Sequence, residues 1–412
     1  MQMNIEWKIL MNSFKIPKIR FMNFNDKWKY IILSEISNSI EYGLNASAKN
    51  FDGIHKYLRI TDIDDSSRLF LTDKLSSPDV NITEEDYENY KLQKNDLLFA
   101  RTGASVGKTY LYRESDGEVY YAGFLIRARL RDSFDGNFVF QQTLTDKYKQ
   151  FIEITSQRSG QPGVNGKEYG DWKIGMTSYS EQSAIGSLFR TLDDLLASYK
   201  DNLANYQSLK ATMLSKMFPK AGQTVPEIRI EGFEGEWEEK KFSKLVKRVT
   251  QSSDSDSLPK VEFEDIISGQ GRLNKDISSK FDNRKGIHFK PGYTLYGKLR
   301  PYLNNWLLPK FEGVALGDFW VFDPNGNDSN FIYYLIQSNR YQKVANDTSG
   351  TKMPRSDWKS VSSTIFAIPQ TIPEQQAVGT YFSNLDNLIN SHQEKISQLE
   401  ILKKKLLQDM FI

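Results

Sequence analysis

The sequence predicts an α+β protein made of two copies of one plan, each a mixed helix-and-strand domain followed by a long helix. Two observations predict this: residues recur in the same order along the 412-residue chain, and each copy ends in the heptad pattern of a coiled-coil helix. Hydrophobic residues make up 39% of the chain, which is enough for packed cores and excludes wholesale disorder. A chain of this length is expected to form two domains rather than one.

The repeat is densest at the two ends of each copy. A box that begins at Pro17 and includes Arg20 and Trp28 returns from Pro226, with Arg229 and Trp237 at the same spacing. The motif Glu-Gln-x-Ala-Ile/Val-Gly stands at 181–186 and again at 374–379, and identical residues continue beyond each motif to the end of its copy. The middles share little. Constant ends predict a common scaffold, and divergent middles predict two differently specialised surfaces.

Short strands are expected in both domains. The β-like runs are Tyr57–Ile60, Asp96–Ala100, Phe124–Leu130, Tyr293–Tyr296 and Phe319–Phe322. Turn dipeptides such as Asp116-Gly117 and Pro291-Gly292 separate them. Four tryptophans, Trp28, Trp172, Trp237 and Trp358, recur between the copies, which favours scaffold packing over stacking on a ligand.

The long helices have clear predicted starts. Ser178 with Glu181, and Thr371 with Glu374, have the spacing of capping boxes, and Pro219 ends the first helix. A 4-3 alternation of spacing then predicts a coiled-coil seam formed by Leu188, Leu192, Leu195, Tyr199, Asn202, Leu209, Leu385, Leu388, His392, Lys395, Leu399 and Leu402. Leu196, Leu203 and Leu214 are then expected to face outward and to offer docking surfaces for partner proteins.

Chain connectivity predicts that the two helices pair antiparallel. Only a few residues separate the end of the first helix from the second domain, so the second helix must run back along the first to bury its seam. The result would be an internal pseudo-two-fold repeat with two related domains separated by a two-helix coiled coil. The expected segments are an N-terminal extension (1–14), domain 1 (15–178), a central helix (179–218), a linker (219–224), domain 2 (225–371) and a C-terminal helix (372–412).

Composition excludes several classes of site. The chain has no Cys and its three histidines are far apart, so disulfides, Cys nucleophiles and a His-rich metal site are not expected. No apolar run is long enough to span a membrane and no secretory signal is evident, so a cytoplasmic protein without membrane contact is expected. The run from Gly103 to Thr109 is one residue too short for a phosphate-binding P-loop. No catalytic residue, metal or bound cofactor is predicted for this chain.

Charge is balanced overall but not locally. The formal net charge is +2, yet the stretches 91–113 and 283–311 are rich in Lys and Arg and nearly free of carboxylates, as phosphate contacts require. Polar, glycine-containing loops lie in and near these stretches, at 101–108 with 158–165 and at 298–305 with 348–355. The candidate DNA-binding residues are Arg101, Thr102, Lys108, Arg158, Gln161, Asn165, Lys298, Arg300, Tyr302, Asn304, Thr351, Lys352 and Arg355.

With these motifs taken together, the chain resembles the DNA-specificity subunit of a type I restriction–modification system. The resemblance is carried by Trp28 and Trp237 with the boxes before them, by the segments 97–103 and 295–302, and by the repeated Glu-Gln-x-Ala-Ile/Val-Gly motif with the helix ends Met217-Phe218 and Met410-Phe411-Ile412. It covers essentially residues 15–412.

The resemblance implies two target-recognition domains that read the two halves of a split, asymmetric sequence in double-stranded DNA. It also implies a helical spacer that sets the gap between the halves. The implied partners are two modification subunits, which methylate adenine with S-adenosylmethionine, and two restriction subunits, which use ATP and magnesium. The recognised bases and the gap length do not follow from the sequence.

Two alternatives remain open from the residues alone. A stand-alone DNA-modifying enzyme would use the carboxylate clusters Asp62–Asp65 and Glu84–Asp86 and would lose turnover when Asp62, Asp64 or Lys108 is mutated. A DNA-independent coiled-coil adaptor would tolerate neutralisation of its loop cations. Solvated acidic faces are the more ordinary interpretation of the carboxylate clusters.

Overall fold

The computed structural model describes residues 16–81, 85–278, 282–347 and 353–412. The chain divides into two compact units: unit 1 comprises Met1–Lys200 with Lys395–Ile412, and unit 2 comprises Asp201–Glu394. The predicted N-terminal extension at 1–14 and the candidate residues Thr351 and Lys352 lie outside the described residues. Within the described residues, no helix is long and apolar enough to cross a membrane.

Unit 1 is a mixed α+β structure. Its elements are β1 (Lys29–Ile32), α1 (Leu33–Ile36), β2 (Ser37–Tyr42), β3 (Ala48–Asn50), β4 (Lys56–Leu58), β5 (Ser76–Pro78), β6 (Asp96–Ala100), β7 (Thr109–Leu111), β8 (Val119–Tyr121), β9 (Leu125–Leu130), α2 (Gly136–Gln142), α3 (Asp146–Thr155), α4 (Gly166–Gly170), β10 (Lys173–Met176) and the first part of α5 (Tyr179–Lys216). Its main sheet has the order β2-β9-β6-β7.

Unit 2 repeats this layout after the remainder of α5. Its elements are β11 (Glu238–Lys241), α6 (Phe242–Leu245), β12 (Lys247–Val249), β13 (Ser252–Ser253), β14 (Lys260–Val261), β15 (Ile266–Ile267), β16 (Arg272–Leu273), β17 (Gly286–Phe289), β18 (Thr294–Gly297), β19 (Trp306–Leu307), β20 (Gly313–Ala315), β21 (Phe319–Asp323), α7 (Ser329–Leu335), α8 (Asn339–Ala345), α9 (Trp358–Ser363), β22 (Ile365–Ile368) and α10 (Ile372–Asp409), whose last part belongs to unit 1.

The internal repeat is confirmed in the strand order. The sheet β2-β9-β6-β7 of unit 1 corresponds to β12-β21-β18-β19 of unit 2, and the antiparallel pair β1-β10 corresponds to β11-β22. A parallel pair is also present in each unit, β4 with β8 and β14 with β20. The predicted strand runs are confirmed to within two residues, because alternating or continuous apolar residues at these positions line the cores.

Aromatic residues fill both cores. Trp28, Trp172 and Trp237 are each at most 4% exposed, which confirms that these tryptophans serve scaffold packing. Trp358 is half-buried, with its ring stacked on Phe322 at 5.9 Å between centroids.

The Glu-Gln-x-Ala-Ile/Val-Gly motif joins each long helix to the domain before it. In unit 1, Arg20 donates to both carboxylate oxygens of Glu181 at 2.6 and 2.7 Å, and Gln182 Oε1 accepts from the backbone N–H of Asp135 at 3.1 Å. Asp135 in turn caps α2 by accepting from Phe138 N–H at 2.9 Å. The glutamate therefore binds the arginine of the preceding box. The predicted capping boxes give the start of each helix correctly, but this glutamate bonds to Arg20.

Unit 2 contains the same set of contacts around its copy of the motif. Arg229 donates to Glu374 at 2.7 and 2.9 Å, and Gln375 Oε1 accepts from Asp328 N–H at 2.9 Å. Asp328 caps α7 through Phe331 N–H at 2.8 Å. Both glycines of the motif are needed for this contact, since a Cβ on Gly186 would lie 2.3 Å from Asp135 Oδ1 and a Cβ on Gly379 would lie 2.8 Å from Asp328 Oδ1.

The two long helices pair antiparallel within each unit, as predicted. In unit 1 Lys403 pairs with Asp193, and Lys200 pairs with Glu400 at 2.8 Å. In unit 2 Lys210 pairs with Asp386 at 2.7 Å, and the rings of Tyr206 and His392 are in edge contact at 5.1 Å. Residue numbers rise along one helix as they fall along the other, which fixes the direction.

The predicted seam is wrong at alternate positions. Leu195, Leu209, Leu388 and Leu402 are 37–42% exposed, and Asn202 and Lys395 are exposed as well. The residues one position later turn inward instead: Leu196 and Ile389 are each 8% exposed, and Leu203 and Ile396 are half-buried. In each helix the next buried residue comes four positions after Leu192 or its counterpart Leu385. The prediction had placed it three positions after.

The other predicted seam residues face the core side of the helices. Leu192 and Leu385 are 7% and 6% exposed, and the half-buried members are Leu188, Tyr199, His392 and Leu399. The same correction removes the predicted outward docking residues. Leu196 is buried, Leu203 is half-buried, and Leu214 packs against the core of unit 2.

The end of each long helix is buried in the unit that it reaches. Phe411 lies 5.5 Å from Phe138 and 5.7 Å from Phe189 between ring centroids, in the core of unit 1. Phe218 lies 5.7 Å from Phe331 in the core of unit 2. The repeated Met-Phe pair is therefore a core element of each unit.

Candidate nucleic-acid interface

The two candidate loops of unit 1 lie side by side. The chain leaves β6 at Ala100 and pairs with the segment before α4: Val164 N–H donates to Arg101 O at 2.9 Å, and Gly103 N–H donates to Pro162 O at 3.0 Å. Thr102 forms a β-bridge with Gly163. The loops 101–108 and 158–165, which are distant in sequence, therefore form one surface.

Unit 2 places its candidate loops in the same register. The chain leaves β18 at Gly297; Ser356 N–H donates to Lys298 O at 2.9 Å, and Arg300 N–H donates to Pro354 O at 2.7 Å. Leu299 forms a β-bridge with Arg355. The two units thus present matching backbone platforms with different side chains, as the divergent middles of the repeat predict.

Arg101 lies beside a cavity of about 730 Å³ in unit 1. Its guanidinium carbon is 5.2 Å from the ring centroid of Tyr42 and 5.9 Å from that of Phe124, which is 61% exposed. Its Nε is buried without a hydrogen-bond partner. Since Arg101 is held by aromatic rings and forms no ion pair within the described residues, its charge is available to an anionic ligand.

Lys108, one of the predicted DNA-binding residues, does not face solvent. Its side chain is 8% exposed, and Nζ pairs with Asp65 at 2.5 Å and donates to Ile63 O at 2.9 Å. The hydrogen bond from Lys108 lowers the pKa of the Asp65 carboxyl. The ammonium is thus enclosed and already paired with the carboxylate of Asp65, so it offers less charge to a ligand than an exposed lysine would.

Two further candidates in unit 1 have structural partners. Arg158 donates to both carboxylate oxygens of Glu168 at 2.5 and 2.6 Å, which offsets its charge. Asn165 caps α4 by accepting from Glu168 N–H at 2.9 Å. Gln161 is exposed and lies against Gly103, and Thr102 is half-buried in the bridge described above.

Candidate cations of unit 2 differ in how they are paired. Lys298 lies 3.4 Å and Arg355 3.0 Å from the carboxylate of Asp318, so one carboxylate serves two cations. Arg300 is exposed, and Tyr302 beside it is 58% exposed. Asn304 is half-buried and its carbonyl accepts from Gly269 N–H at 3.0 Å.

The acidic cluster at Asp62–Asp65 is engaged in local structure. Asp62 accepts from the Arg59 guanidinium at 2.8 Å, and Asp64 Oδ1 accepts from Ser66 and Ser67, which lowers the pKa of its carboxyl. Within the described residues, no three His, Asp or Glu side chains converge as metal ligands would. The second cluster includes Glu84, which lies outside the described residues.

Sequence reasoning missed the residues that surround the candidates. No sequence motif marks Tyr42, Phe124 or Asp318. Each contacts its arginine, Arg101 or Arg355, only because distant segments come together in the fold. A search for aromatic residues at strand ends would have found Tyr42, the last residue of β2, but not its partner.

Comparison with known proteins supports a single family. Residues 236–401 match the family model described as type I restriction modification DNA specificity domain. The S subunit of a type I restriction–modification system from M. genitalium superposes over 96% of this chain and 99% of its own, with a TM-score of 0.65 at 14% identity. The chain has the fold of a type I specificity subunit.

Two curated relatives from Methanocaldococcus jannaschii extend the similarity to the full chain. The type I restriction enzyme MjaVIII specificity subunit is 20% identical over 87% of this chain and 85% of its own length. The putative type I restriction enzyme MjaX specificity subunit is 22% identical over 97% of each chain. The predicted resemblance to type I specificity subunits is therefore confirmed over both copies of the repeat.

Proposed function

We propose that this chain is the DNA-reading subunit of a type I restriction–modification complex and that it binds a split, asymmetric target in double-stranded DNA. The observation that carries the proposal is the pair of matching loop platforms with unlike side chains. A shared backbone provides a similar approach to a groove, and different side chains provide different base contacts. The two half-sites would accordingly differ in sequence.

The charge distribution on the platforms supports this role. In unit 1 Arg101 is held by aromatic rings, and in unit 2 two cations share Asp318 while Arg300 is exposed. Each platform thus retains positive charge that is not offset by a neighbouring carboxylate. Phosphate contacts need such charge, and Arg also reads base edges.

The proposal includes partner subunits that perform the chemistry. The chain would hold modification subunits that methylate adenine with S-adenosylmethionine and restriction subunits that use ATP and magnesium. The antiparallel helices α5 and α10 would set the gap between the two half-sites. Such a protein acts in the cytoplasm and has no catalytic residue of its own.

Selection of duplexes from a random library with the purified full-length chain tests the proposal. We expect enrichment of two short, unlike sequence blocks separated by a fixed number of unspecified base pairs. Methylome sequencing of the host with and without the gene should show modified adenines in the same split motif. A chain that enriches no motif in vitro and whose loss leaves the methylome unchanged would contradict the proposal.

Neutralising Arg101 gives a second measurement. Arg101→Gln should weaken binding and, if the guanidinium contacts a phosphate, reduce the slope of log K against log salt by about 0.9. Lys149→Gln is the matched control, because Lys149 is exposed, lies on α3 and pairs with Asp146. An unchanged affinity of Arg101→Gln would remove the platform of unit 1 from the DNA interface.

A further inference from the structure

Arg300 has a backbone conformation that a residue with a side chain rarely adopts. Its φ is 48° and its ψ is 61°, which is the left-handed region. For a non-glycine residue this conformation is unfavourable, and the following Pro301 restricts the residue before it further. A strained residue persists where the surrounding structure holds it, and such residues concentrate at functional sites.

The internal repeat shows what this position requires for the fold alone. Gly103 occupies the equivalent place in unit 1: its N–H donates to Pro162 O just as Arg300 N–H donates to Pro354 O, and each residue begins or precedes a short 3-10 turn. Gly103 also has a positive φ, of 77°. The shared backbone therefore favours glycine, and unit 2 carries arginine there at a conformational cost.

The Arg300 side chain is free to act outside the protein. The residue is exposed, and within the described part of the chain its guanidinium forms no ion pair or hydrogen bond, whereas its neighbours Lys298 and Arg355 are paired with Asp318. No contact within the described residues of unit 2 therefore accounts for the charged end of this side chain. Its backbone, in contrast, is fixed on both sides, by Pro354 O before the turn and by Leu303 N–H, which donates to Arg300 O at 2.9 Å.

We propose that Arg300 is a specificity-determining residue that reads a guanine in one half-site. Arg presents two donors to guanine O6 and N7 in the major groove, which is the commonest specific contact between a side chain and a base. A side chain that projects from a fixed turn suits such a directional contact better than a mobile one. Gly103 cannot make the contact, so the other half-site is read differently at this place. The inference rests on the proposed function.

Duplex selection with the full-length chain and its Arg300→Gly variant tests this inference. The wild type should select a split motif with a guanine at one position of one block. Arg300→Gly should select the same motif with that single position relaxed, and its preference for guanine there should fall by about 5- to 150-fold. Arg300→Lys should retain the charge and lose part of the preference.

The thermal unfolding midpoint separates this role from a structural one. Glycine removes the free-energy cost of the left-handed backbone, but it also makes the unfolded chain more flexible, which costs a similar free energy on folding. The unfolding midpoint of Arg300→Gly should therefore be unchanged or slightly higher. Asn325→Gly is the matched control, since Asn325 also has a positive φ (53°) and lies in unit 2. Its selected motif should equal that of the wild type.

Several outcomes would overturn the inference. An unchanged motif for Arg300→Gly would show that the side chain does not read a base. Uniform weakening over all sequences, with a smaller salt slope, would assign Arg300 to a phosphate. A clearly lower midpoint for Arg300→Gly would assign it to the fold. If the wild type itself selects no motif, the proposed function fails first and the inference fails with it.

Discussion

At the scale of single residues, the partners of a cation decide its role. Lys108 and Arg101 lie seven positions apart in the same cationic stretch of the sequence. Lys108 is enclosed and paired with Asp65, whereas Arg101 is flanked by Tyr42 and Phe124. Only the first is neutralised by its own domain. A count of Lys and Arg along a loop therefore overstates the charge that DNA would meet.

The buried position of Lys108 predicts a stability effect without a binding effect. Lys108→Met should lower the free energy of unfolding by about 1–3 kcal/mol, because the carbonyl of Ile63 loses its donor. DNA affinity should remain that of the wild type. Urea unfolding and a binding titration of the same preparation measure the two quantities.

Lys149→Met is the control for removal of an exposed paired lysine, and we expect it to change the free energy of unfolding by less than about 0.5 kcal/mol. A loss of DNA affinity in Lys108→Met, without loss of stability, would instead show that Lys108 contacts DNA.

At the scale of elements, the repeated Glu-Gln-x-Ala-Ile/Val-Gly motif is the joint between each long helix and the domain before it. Its glutamate holds an arginine of the preceding box, its glutamine holds the N-terminus of α2 or α7, and its glycine allows the helices to touch. These contacts join elements that are far apart in the chain. The Glu, Gln and Gly of the motif recur because both units need the same joint.

Gly186→Ala tests the joint. An alanine inside a helix normally stabilises it by up to about 1 kcal/mol relative to glycine. Here the new Cβ would lie 2.3 Å from Asp135 Oδ1, so we expect a loss of about 1–3 kcal/mol in the free energy of unfolding. Ser187→Ala, at the exposed next position, should show no such loss. Equal stabilities of the two variants would show that α5 can move away from α2 at little cost.

At the scale of the whole molecule, unit 1 depends on a helix end that comes from the opposite end of the sequence. Phe411 is 8% exposed in the core of unit 1, although residues 201–394 separate its helical segment from the rest of that unit. Phe218 has the corresponding place in the core of unit 2, but it is continuous in sequence with the rest of that unit.

Phe411→Ala should therefore destabilise unit 1, near the opposite end of the sequence. Large-to-small changes of a buried Phe cost about 3–5 kcal/mol. Hydrogen exchange should show faster exchange in β6 and β9 of unit 1 and little change in β18 and β21 of unit 2. Ile401→Ala, on an exposed face of the same helix, is the control. Equal acceleration in both units would show that they unfold as one.

The sequence by itself determined the repeat, the α+β class, the strand runs and the ends of the long helices. These features depend on apolar periodicity and on turn and proline chemistry, which are local. It also pointed to the family through motifs whose structural purpose it did not reveal. The domain boundaries stay a prediction, as do the residues that contact DNA.

Only the tertiary structure decided which face of each helix is buried and which loop cations are neutralised. The 4-3 spacing fits two registers, and the contacts between α5 and α10 in each unit selected the one that turns Leu196 and Ile389 inward. Asp65 and Asp318 pair with loop cations because the fold brings distant segments together, and a local sequence pattern does not predict such pairs. The same is true of Arg300, whose left-handed backbone follows from its pairing with Pro354.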